Sequence, residues 1–238
     1  MEPDYNRSLI PRPSHELAAP KIAQNRILGE MVESSLALVK KPGAEAEELE
    51  ALICEARRLQ GKTGMTPDNI RAFNLFLRAA KAGHPAAQFE VSVCYSFAAG
   101  TKFDLVEADR WCWLAAEAGY AAAQNLKGND LRNERRFVES FEWFRKAAEQ
   151  GHSGAQMSLS DCYREGEGVP KDYCLSYAWA RLAADADDSG PTLNGFEWSG
   201  PEWAEEWAKA IASVLSPAEL ERAHGQYLDF KRKYSPKR

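Results

Sequence analysis

Long apolar runs, a positive net charge and the motifs of common enzymes are all missing from this sequence of 238 residues. No stretch approaches the roughly 18 consecutive apolar residues that a membrane-spanning helix needs. The N-terminal segment has acids and prolines where a secretory signal would have basic and then apolar residues. The net charge of −5 predicts no bulk attraction to nucleic acid or an anionic membrane. Unless a leader has been processed away, these absences predict a cytoplasmic protein with neither a nucleic-acid nor a membrane partner.

Chemistry-bearing motifs are absent as well. The sequence has no G-x-S-x-G, no phosphate-binding G-x-x-x-x-G-K and no H-E-x-x-H. Its four histidines are scattered, and none of its five cysteines forms a C-x-x-C pair. We therefore predict no enzyme, no catalytic, cofactor-binding or metal-binding residue, and no cofactor. The thiols are expected to be small, buried and reduced, with a disulfide between Cys162 and Cys174 as the alternative.

One segment, by contrast, occurs four times, at residues 72–84, 108–120, 140–152 and 176–188. Each copy begins with a small residue, has a large apolar residue three positions later, and has paired alanines four positions after that. Steps of three and four place these residues on one helical face. Three copies then end at a glycine, which is a common helix stop. We expect the large residues to pack between helices; they are Leu75, Trp111, Trp143 and Trp179.

A second helical pattern precedes each copy, which gives units of two helices and a turn at 48–83, 84–119, 120–151 and 152–187. One helix pair cannot bury its own apolar face, so repeated pairs predict an all-α solenoid. The expected N-terminal caps of the second helices are Asp68, Asp104 and Asp172, and His84 and His152 are expected to serve in the turns between units.

The segments outside the repeats predict caps for the two ends of the stack. Residues 1–43 are expected to form an irregular arm and a capping helix, and residues 44–187 the repeat region. Residues 188–238 are expected to form a loop and two further helices. The last helix is predicted to begin at a capping box, with Ser216 as the cap and Glu219 three residues later.

The fourth unit carries a recognisable pattern, and it resembles the Sel-one-like repeat, a relative of the tetratricopeptide repeat. The resemblance extends over residues 48–187. It implies a right-handed α-α superhelical solenoid and a non-catalytic adaptor or scaffold. The matching residues are Ala155, Leu159, Tyr163, Gly166, Gly168, Val169, Asp172, Trp179, Ala183 and Ala184.

Units 1 and 3 depart from this pattern. Unit 1 has Glu55 in place of the core leucine and Lys62 in place of the first loop glycine. Unit 3 is shorter, lacks the G-x-G loop and the aspartate cap, and has Lys127 in place of the core leucine. Either unit 3 has drifted with support from its neighbours, or its polar and basic residues, which include Arg135 and Arg136, were remodelled to grip an acidic segment.

In related repeats the first helix of each unit lines the concave wall, which is where we expect a partner protein or peptide to bind. The wall is predicted to be apolar near unit 2 and polar on either side, as suits an apolar anchor with charged flanks. The predicted wall residues are Ile53, Arg57 and Gln60 in unit 1, Phe89, Val93, Ser96 and Phe97 in unit 2, Asn125, Asn129, Arg132 and Asn133 in unit 3, and Met157, Asp161, Arg164 and Glu165 in unit 4.

Two other functions stay open. Bacterial repeat proteins of this kind are found beside secreted toxins, so the protein could be an immunity or inhibitor protein that sequesters one toxin or effector. A remote alternative is an enzyme with a site between the solenoid and the C-terminal cap, around Glu197, Trp198, Glu202 and His224. Tryptophans outside the repeat register are expected in the cap core or as binding anchors: Trp113, Trp198, Trp203 and Trp207. The oligomeric state is open, with a monomer slightly favoured.

Overall fold

A computed structural model describes residues 44–60, 64–186 and 201–234. The predicted N-terminal arm and capping helix, together with Lys62, Glu197 and Trp198, lie outside these ranges. The described helices belong to one structural unit, Pro42–Arg238. They are α1 Ala44–Leu59, α2 Pro67–Lys81, α3 Pro85–Phe97, α4 Leu105–Glu117, α5 Ala121–Asn133, α6 Phe137–Glu149, α7 Ser153–Glu165, α8 Tyr173–Ala184, α9 Pro201–Ala212 and α10 Pro217–Tyr234.

The first eight helices form four antiparallel pairs, and each helix packs on the next along the chain. The predicted all-α solenoid is therefore confirmed. Helices α9 and α10 both pack on α8, and we call these two helices the C-terminal cap. The first of them ends at Ala212.

A histidine side chain caps the first helix of units 2 and 4. The Nδ1 atom of His84 accepts a hydrogen bond from the backbone N–H of Ala87 at 3.4 Å, and Nδ1 of His152 accepts one from Ala155 at 3.2 Å. Each ring therefore caps a helix N-terminus as a serine or aspartate would. Tyr120 stands at the same position of α5 without a side-chain cap, which shows that the turn tolerates either.

The predicted aspartate caps are confirmed at Asp104 and Asp172, whose carboxylates accept backbone N–H bonds in the first turns of α4 and α8. The prediction for Asp68 is wrong. Thr66 caps α2 instead, because Pro67 has no N–H and suits the first helical position. Asp68 lies within the first turn, where its charge still complements the helix dipole.

The expected capping box of α10 is present. The Ser216 N–H donates to Glu219 Oε2 at 2.9 Å, and the Glu219 N–H donates to Ser216 Oγ at 3.4 Å.

The repeat tryptophans are packed to different depths. Trp179 is 4 % exposed, as predicted for a residue between helices. Trp111 and Trp143 are half-buried and rest against the edges of two core clusters. The phenylalanines that follow Leu75 and Trp143, Phe76 and Phe144, are fully buried.

Unit 3 keeps a packed core despite its departures. A Cβ on Gly128 would lie 2.5 Å from the Phe144 ring, so only glycine lets α5 and α6 approach this closely. Ser140 Oγ donates to the Gly128 carbonyl at 2.7 Å across the same contact. Lys127 is half-buried with its Nζ 4.1 Å from the centre of the Trp113 ring, and burial lowers the pKa of Lys127. The substituted lysine therefore contributes a cation–π contact where a leucine was expected.

Unit 3 also receives support from the loop of unit 4. Gly168 has φ of 78°, and a Cβ there would lie 2.4 Å from the Phe137 carbonyl oxygen at the start of α6. The loop between α7 and α8 thus packs on the start of α6. The loop between α5 and α6 is short.

All five cysteines are free thiols, so the alternative disulfide between Cys162 and Cys174 is not formed. Cys174 instead contacts the cap: its Sγ lies 3.5 Å from the Glu219 carbonyl oxygen and accepts a hydrogen bond from Arg222 at 3.0 Å.

Candidate partner-binding surface

Three apolar residues of the predicted wall are buried in the core: Ile53 is 1 % exposed, Phe89 3 % and Met157 7 %. The prediction that these side chains line an open surface is therefore wrong. Phe89 packs against Tyr120, which begins the next first helix, with 5.1 Å between ring centres. Met157 packs among apolar residues of α8 and α9. The first helix of each repeat unit buries more than one of its faces. The apolar pattern of a single helix does not reveal the second buried face.

The rest of the predicted unit-2 wall offers little apolar surface. Val93, Ser96 and Phe97 are all half-buried, and Ser96 Oγ donates back to the Ser92 carbonyl at 3.0 Å. In unit 1, Arg57 is the wall residue with an exposed side chain, and it pairs with Glu90 of α3 at 3.0 Å. Gln60, just after α1, is half-buried. The apolar side chains expected to form an anchor site at unit 2 are thus largely covered by other residues of the protein.

The polar residues of units 3 and 4 are brought together. Arg132 of α5 lies 3.8 Å from Asp161 of α7 and 2.6 Å from Glu167 in the following loop. Arg164 lies 3.4 Å from the same Asp161 and also pairs with Glu165. The contact between Arg132 and Asp161 joins the first helices of units 3 and 4.

We call one half-buried surface across α5 and α7 the polar strip. Steps of three and four along each helix put its members on one face. Asn133, the remaining predicted residue of unit 3, is exposed at the end of α5. The polar strip consists of Asn125, Asn129, Arg132, Asp161 and Arg164.

Two groups of the polar strip, the Asp161 carboxyl and the Asn125 amide oxygen, are in unfavourable surroundings. Burial raises the pKa of Asp161, although Arg132 and Arg164 both act in the opposite direction. The Oδ1 atom of Asn125 is buried and accepts no hydrogen bond from the residues that the structure describes. A buried acceptor without a donor is costly.

A cleft lies beside the strip, where the end of α7 and the start of α8 meet α9. Its volume is about 200 Å³. The Arg164 guanidinium stacks 4.7 Å over the Trp207 ring, and Trp207 stacks on Trp203 with 5.4 Å between ring centres. The residues that line the cleft are Arg164, Glu165, Tyr173, Trp207, Ala210, Ile211 and Val214.

The sequence contained a partial signal for this cleft. Trp203 and Trp207 are four residues apart and outside the repeat register, which left a cap-core role and a binding role open. Trp207 lines the cleft and Trp203 is 38 % exposed. Trp113 is half-buried against Trp143, with 5.9 Å between ring centres. The sequence alone does not show which residues of α7 are covered by α9.

The other basic residues of unit 3 lie away from the strip. Arg136 pairs with Glu139 at 2.5 Å and Glu134 at 3.2 Å, and Arg135 is exposed in a left-handed turn with φ of 62°. The backbone N–H of Arg135 donates to the Arg132 carbonyl oxygen at 3.0 Å, but among the described residues no side-chain contact joins the Arg135 or Arg136 guanidinium to that of Arg132.

Cys54 is exposed, so the expectation of buried thiols is wrong at that position, whereas Cys94 and Cys162 are buried. Burial raises the pKa of Cys94, Cys112 and Cys162 to about 12, so these thiols are protonated at neutral pH and are poor nucleophiles. Within residues 44–60, 64–186 and 201–234, no three His, Cys, Asp or Glu side chains are grouped as a metal site would require. Glu202 and His224, from the enzymatic alternative, are exposed on different helices. No helix among those described is both long and apolar enough to cross a membrane.

Comparison with known proteins agrees with this architecture. A model of the Sel1 repeat matches residues 56–84, 85–120, 131–152 and 153–188. The chain belongs to the Sel1-repeat family. The third match begins within α5, and so it leaves out the first part of that helix.

Two solved structures resemble this Sel1-repeat chain. A protective antigen of uropathogenic Escherichia coli with an SLR fold is 28 % identical with a TM-score of 0.62, over 90 % of this chain and 46 % of that one. A Sel1 repeat protein from Oxalobacter formigenes is 30 % identical with a TM-score of 0.50, over 59 % of this chain and 98 % of that one.

Two curated relatives are longer. An uncharacterised protein of Neisseria meningitidis serogroup B is 30 % identical over 51 % of this chain, and chitin synthase regulatory factor 3 of Schizosaccharomyces pombe is 27 % identical over 67 %. The chain spans 26 % and 23 % of their lengths, about a quarter of each. Sel1-repeat proteins generally mediate protein–protein interaction and are generally non-catalytic scaffolds.

Proposed function

We propose that this protein is a non-catalytic adaptor that binds a partner protein or peptide across the polar strip. The observation that carries the proposal is that Arg132 of α5 and Arg164 of α7 share Asp161 of α7 as their ion-pair partner. The strip replaces the apolar wall of unit 2 as the centre of the proposed surface, because Phe89 is buried there.

Half-buried charges of both signs suit specific recognition. Charged groups across an interface steer encounter and fix register more than they add raw affinity. A partner with its own acid and base can exchange pairs with Arg132 and Asp161, and so no net charge has to be buried alone. The curated relative named as a regulatory factor of an enzyme is compatible with such a non-catalytic role.

The toxin-neutralising and enzymatic alternatives stay predictions, since no contact in the described residues favours either. A monomer also stays a prediction. We place the protein in the cytoplasm, and the support is its five free thiols.

The test begins with affinity capture from native extract and identification of the captured protein by mass spectrometry. The dissociation constant of that purified partner is then measured for wild type and for Arg132→Ala. We expect Arg132→Ala to weaken binding by about tenfold or more, which corresponds to about 1.4 kcal/mol. Asn129→Trp should also weaken binding, because it blocks the strip sterically without removing an ion pair.

Arg136→Ala is the matched control, because Arg136 is paired on the surface just beyond the strip. It should leave the dissociation constant unchanged within about twofold. Circular dichroism and thermal melts establish that each variant is folded. Equal affinity of wild type, Arg132→Ala and Asn129→Trp would exclude the polar strip as the site.

A further inference from the structure

The cleft between α7, α8 and α9 has the size and lining of a pocket for one side chain. Ile211 is 4 % exposed and Trp207 is half-buried, whereas Tyr173 is 42 % and Val214 67 % exposed. The volume of about 200 Å³ exceeds the roughly 150 Å³ that suffices for a benzene-sized group. A phenyl ring or a branched aliphatic side chain therefore fits.

Two hydrogen-bond donors on residues that line the cleft have no acceptor in the part of the chain that the structure describes. Trp207 Nε1 and Arg164 Nε are both buried, and neither donates a hydrogen bond to an atom of residues 44–60, 64–186 or 201–234. Leaving a buried donor unpaired costs about 1–3 kcal/mol, and such groups in a native fold call for a physical reason. Both orphaned groups are N–H donors on residues that line one cleft. The matching ligand atom is therefore an oxygen acceptor.

The charges around the cleft indicate that this acceptor is neutral. Arg164 already pairs with Asp161 and Glu165, and Arg132 pairs with Asp161 and Glu167. Arg164 and Glu165 are the charged residues of the cleft lining, and they pair with each other, so the lining offers no unpaired positive charge to a carboxylate or phosphate. A backbone carbonyl is a neutral acceptor that every peptide carries next to its side chains.

We propose that this cleft binds one large apolar side chain of a partner peptide, whose backbone carbonyls accept hydrogen bonds from Trp207 Nε1 and Arg164 Nε. The proposal rests on the proposed function, because Arg164 belongs to both the polar strip and the cleft. The Arg164 side chain is 32 % exposed. It moves off the indole to admit the peptide, which uncovers both N–H groups.

The direct test uses two capped peptides, acetyl-Gly-Gly-Phe-Gly-Gly-amide and its Ala analogue, with ¹⁵N-labelled full-length protein. The indole N–H of Trp207 is assigned from its absence in Trp207→Phe. We expect the Phe peptide at millimolar concentration to shift the Trp207 indole and Arg164 Nε–H resonances saturably. The Ala peptide should bind at least about tenfold more weakly.

A pair of variants separates the cleft from the rest of α9. Ala210→Trp fills the cleft from its exposed wall and should abolish the shifts. Lys209→Trp adds the same side chain at a neighbouring exposed position outside the lining, and it should leave them intact. Unaltered binding to Ala210→Trp, or equal binding of the Phe and Ala peptides, would overturn the proposal.

The remaining outcomes are also informative. Absence of saturable shifts with the Phe peptide, while Arg132→Ala still weakens the native partner, rejects the cleft but keeps the adaptor function. Shifts of the same two resonances on raising protein concentration without peptide would show that a second copy fills the cleft, and this result overturns the peptide assignment.

Discussion

Ala98 holds a backbone conformation that suits glycine better than alanine. It ends α3 with φ of 53° and ψ of 36°, in the left-handed region. The equivalent residue at the end of α7 is Gly166, with φ of 78°. A non-glycine residue in this region costs about 1–2 kcal/mol because its Cβ crowds the following carbonyl.

We therefore expect Ala98→Gly to stabilise the protein. The relief of strain exceeds the extra entropy that glycine loses on folding, about 0.5–1 kcal/mol. The net gain in the free energy of unfolding should be up to about 1 kcal/mol, measured by reversible denaturant unfolding. Ala82→Gly is the matched control, because Ala82 ends α2 with φ of −78° and needs no glycine. The control should lose stability, and a loss in Ala98→Gly as well would contradict the strain argument.

Individual residues show which parts of the candidate site could be predicted from the sequence. The polar members of the wall, such as Arg132 and Asp161, could be placed from their spacing alone. The burial of Phe89 and Met157 could not, because each is covered by a residue from the next unit or the cap. Register predicts which face of one helix is apolar, but it does not predict which other faces the neighbours cover.

At the scale of the helices, α8 holds the C-terminal cap through its last turn. Arg181 pairs with Glu205 of α9. Asp185 accepts hydrogen bonds from Tyr227 at 2.5 Å and Lys231 at 2.8 Å, both on α10. Burial on its own would raise the pKa of Asp185, but the bonds from Lys231 and Tyr227 and the Arg181 charge outweigh it, so the pKa lies below the usual range.

We expect Asp185→Ala to lower the free energy of unfolding by about 1–2 kcal/mol at neutral pH, since it removes two hydrogen bonds to a charged acceptor. A carboxyl group whose folded pKa is depressed stabilises the fold above its unfolded pKa of about 4. That stabilisation disappears as the pH falls through the folded value. The difference between wild type and variant should thus shrink in acid.

Asp229→Ala is the control for this pH dependence, because Asp229 pairs with Arg232 on the exposed side of α10. It should change stability by less than about 0.5 kcal/mol at any pH. A difference for Asp185→Ala that stays constant from neutral to acid pH would mean that the carboxylate charge is not what holds α10.

Helix starts and stops were largely predictable, because capping depends on a few local residues. Asp104, Asp172 and Ser216 cap as their sequence contexts indicated. Asp68 does not, because the Thr66–Pro67 pair starts α2 earlier. Burial of the repeat tryptophans was less predictable: Trp179 is buried because α10 covers it, whereas Trp111 and Trp143 have no such cover in the described chain.

For the stack as a whole, contacts between neighbours distribute the core into separate clusters along the chain. One cluster joins α1, α2 and α3. Another joins α6, α7 and α8 and is covered by Phe230 and Tyr234 of α10. In repeat proteins such clusters are coupled mainly through the units between them, so damage at one end decays along the stack. Local stability should therefore differ between the two clusters.

We expect Phe230→Ala to reveal this distribution. The substitution removes a ring whose centre lies 4.6 Å from that of Trp179, at a cost of about 2 kcal/mol for a half-buried phenylalanine. Native-state hydrogen exchange should lose protection in α6, α8 and α10, while α2 and α3 keep theirs. Phe103→Ala controls for loss of an aromatic ring, because Phe103 is 61 % exposed and should alter no protection. Equal loss of protection in α2 and α8 would show that the repeats unfold as one cooperative body, and the nearest-neighbour account of this solenoid would then fail.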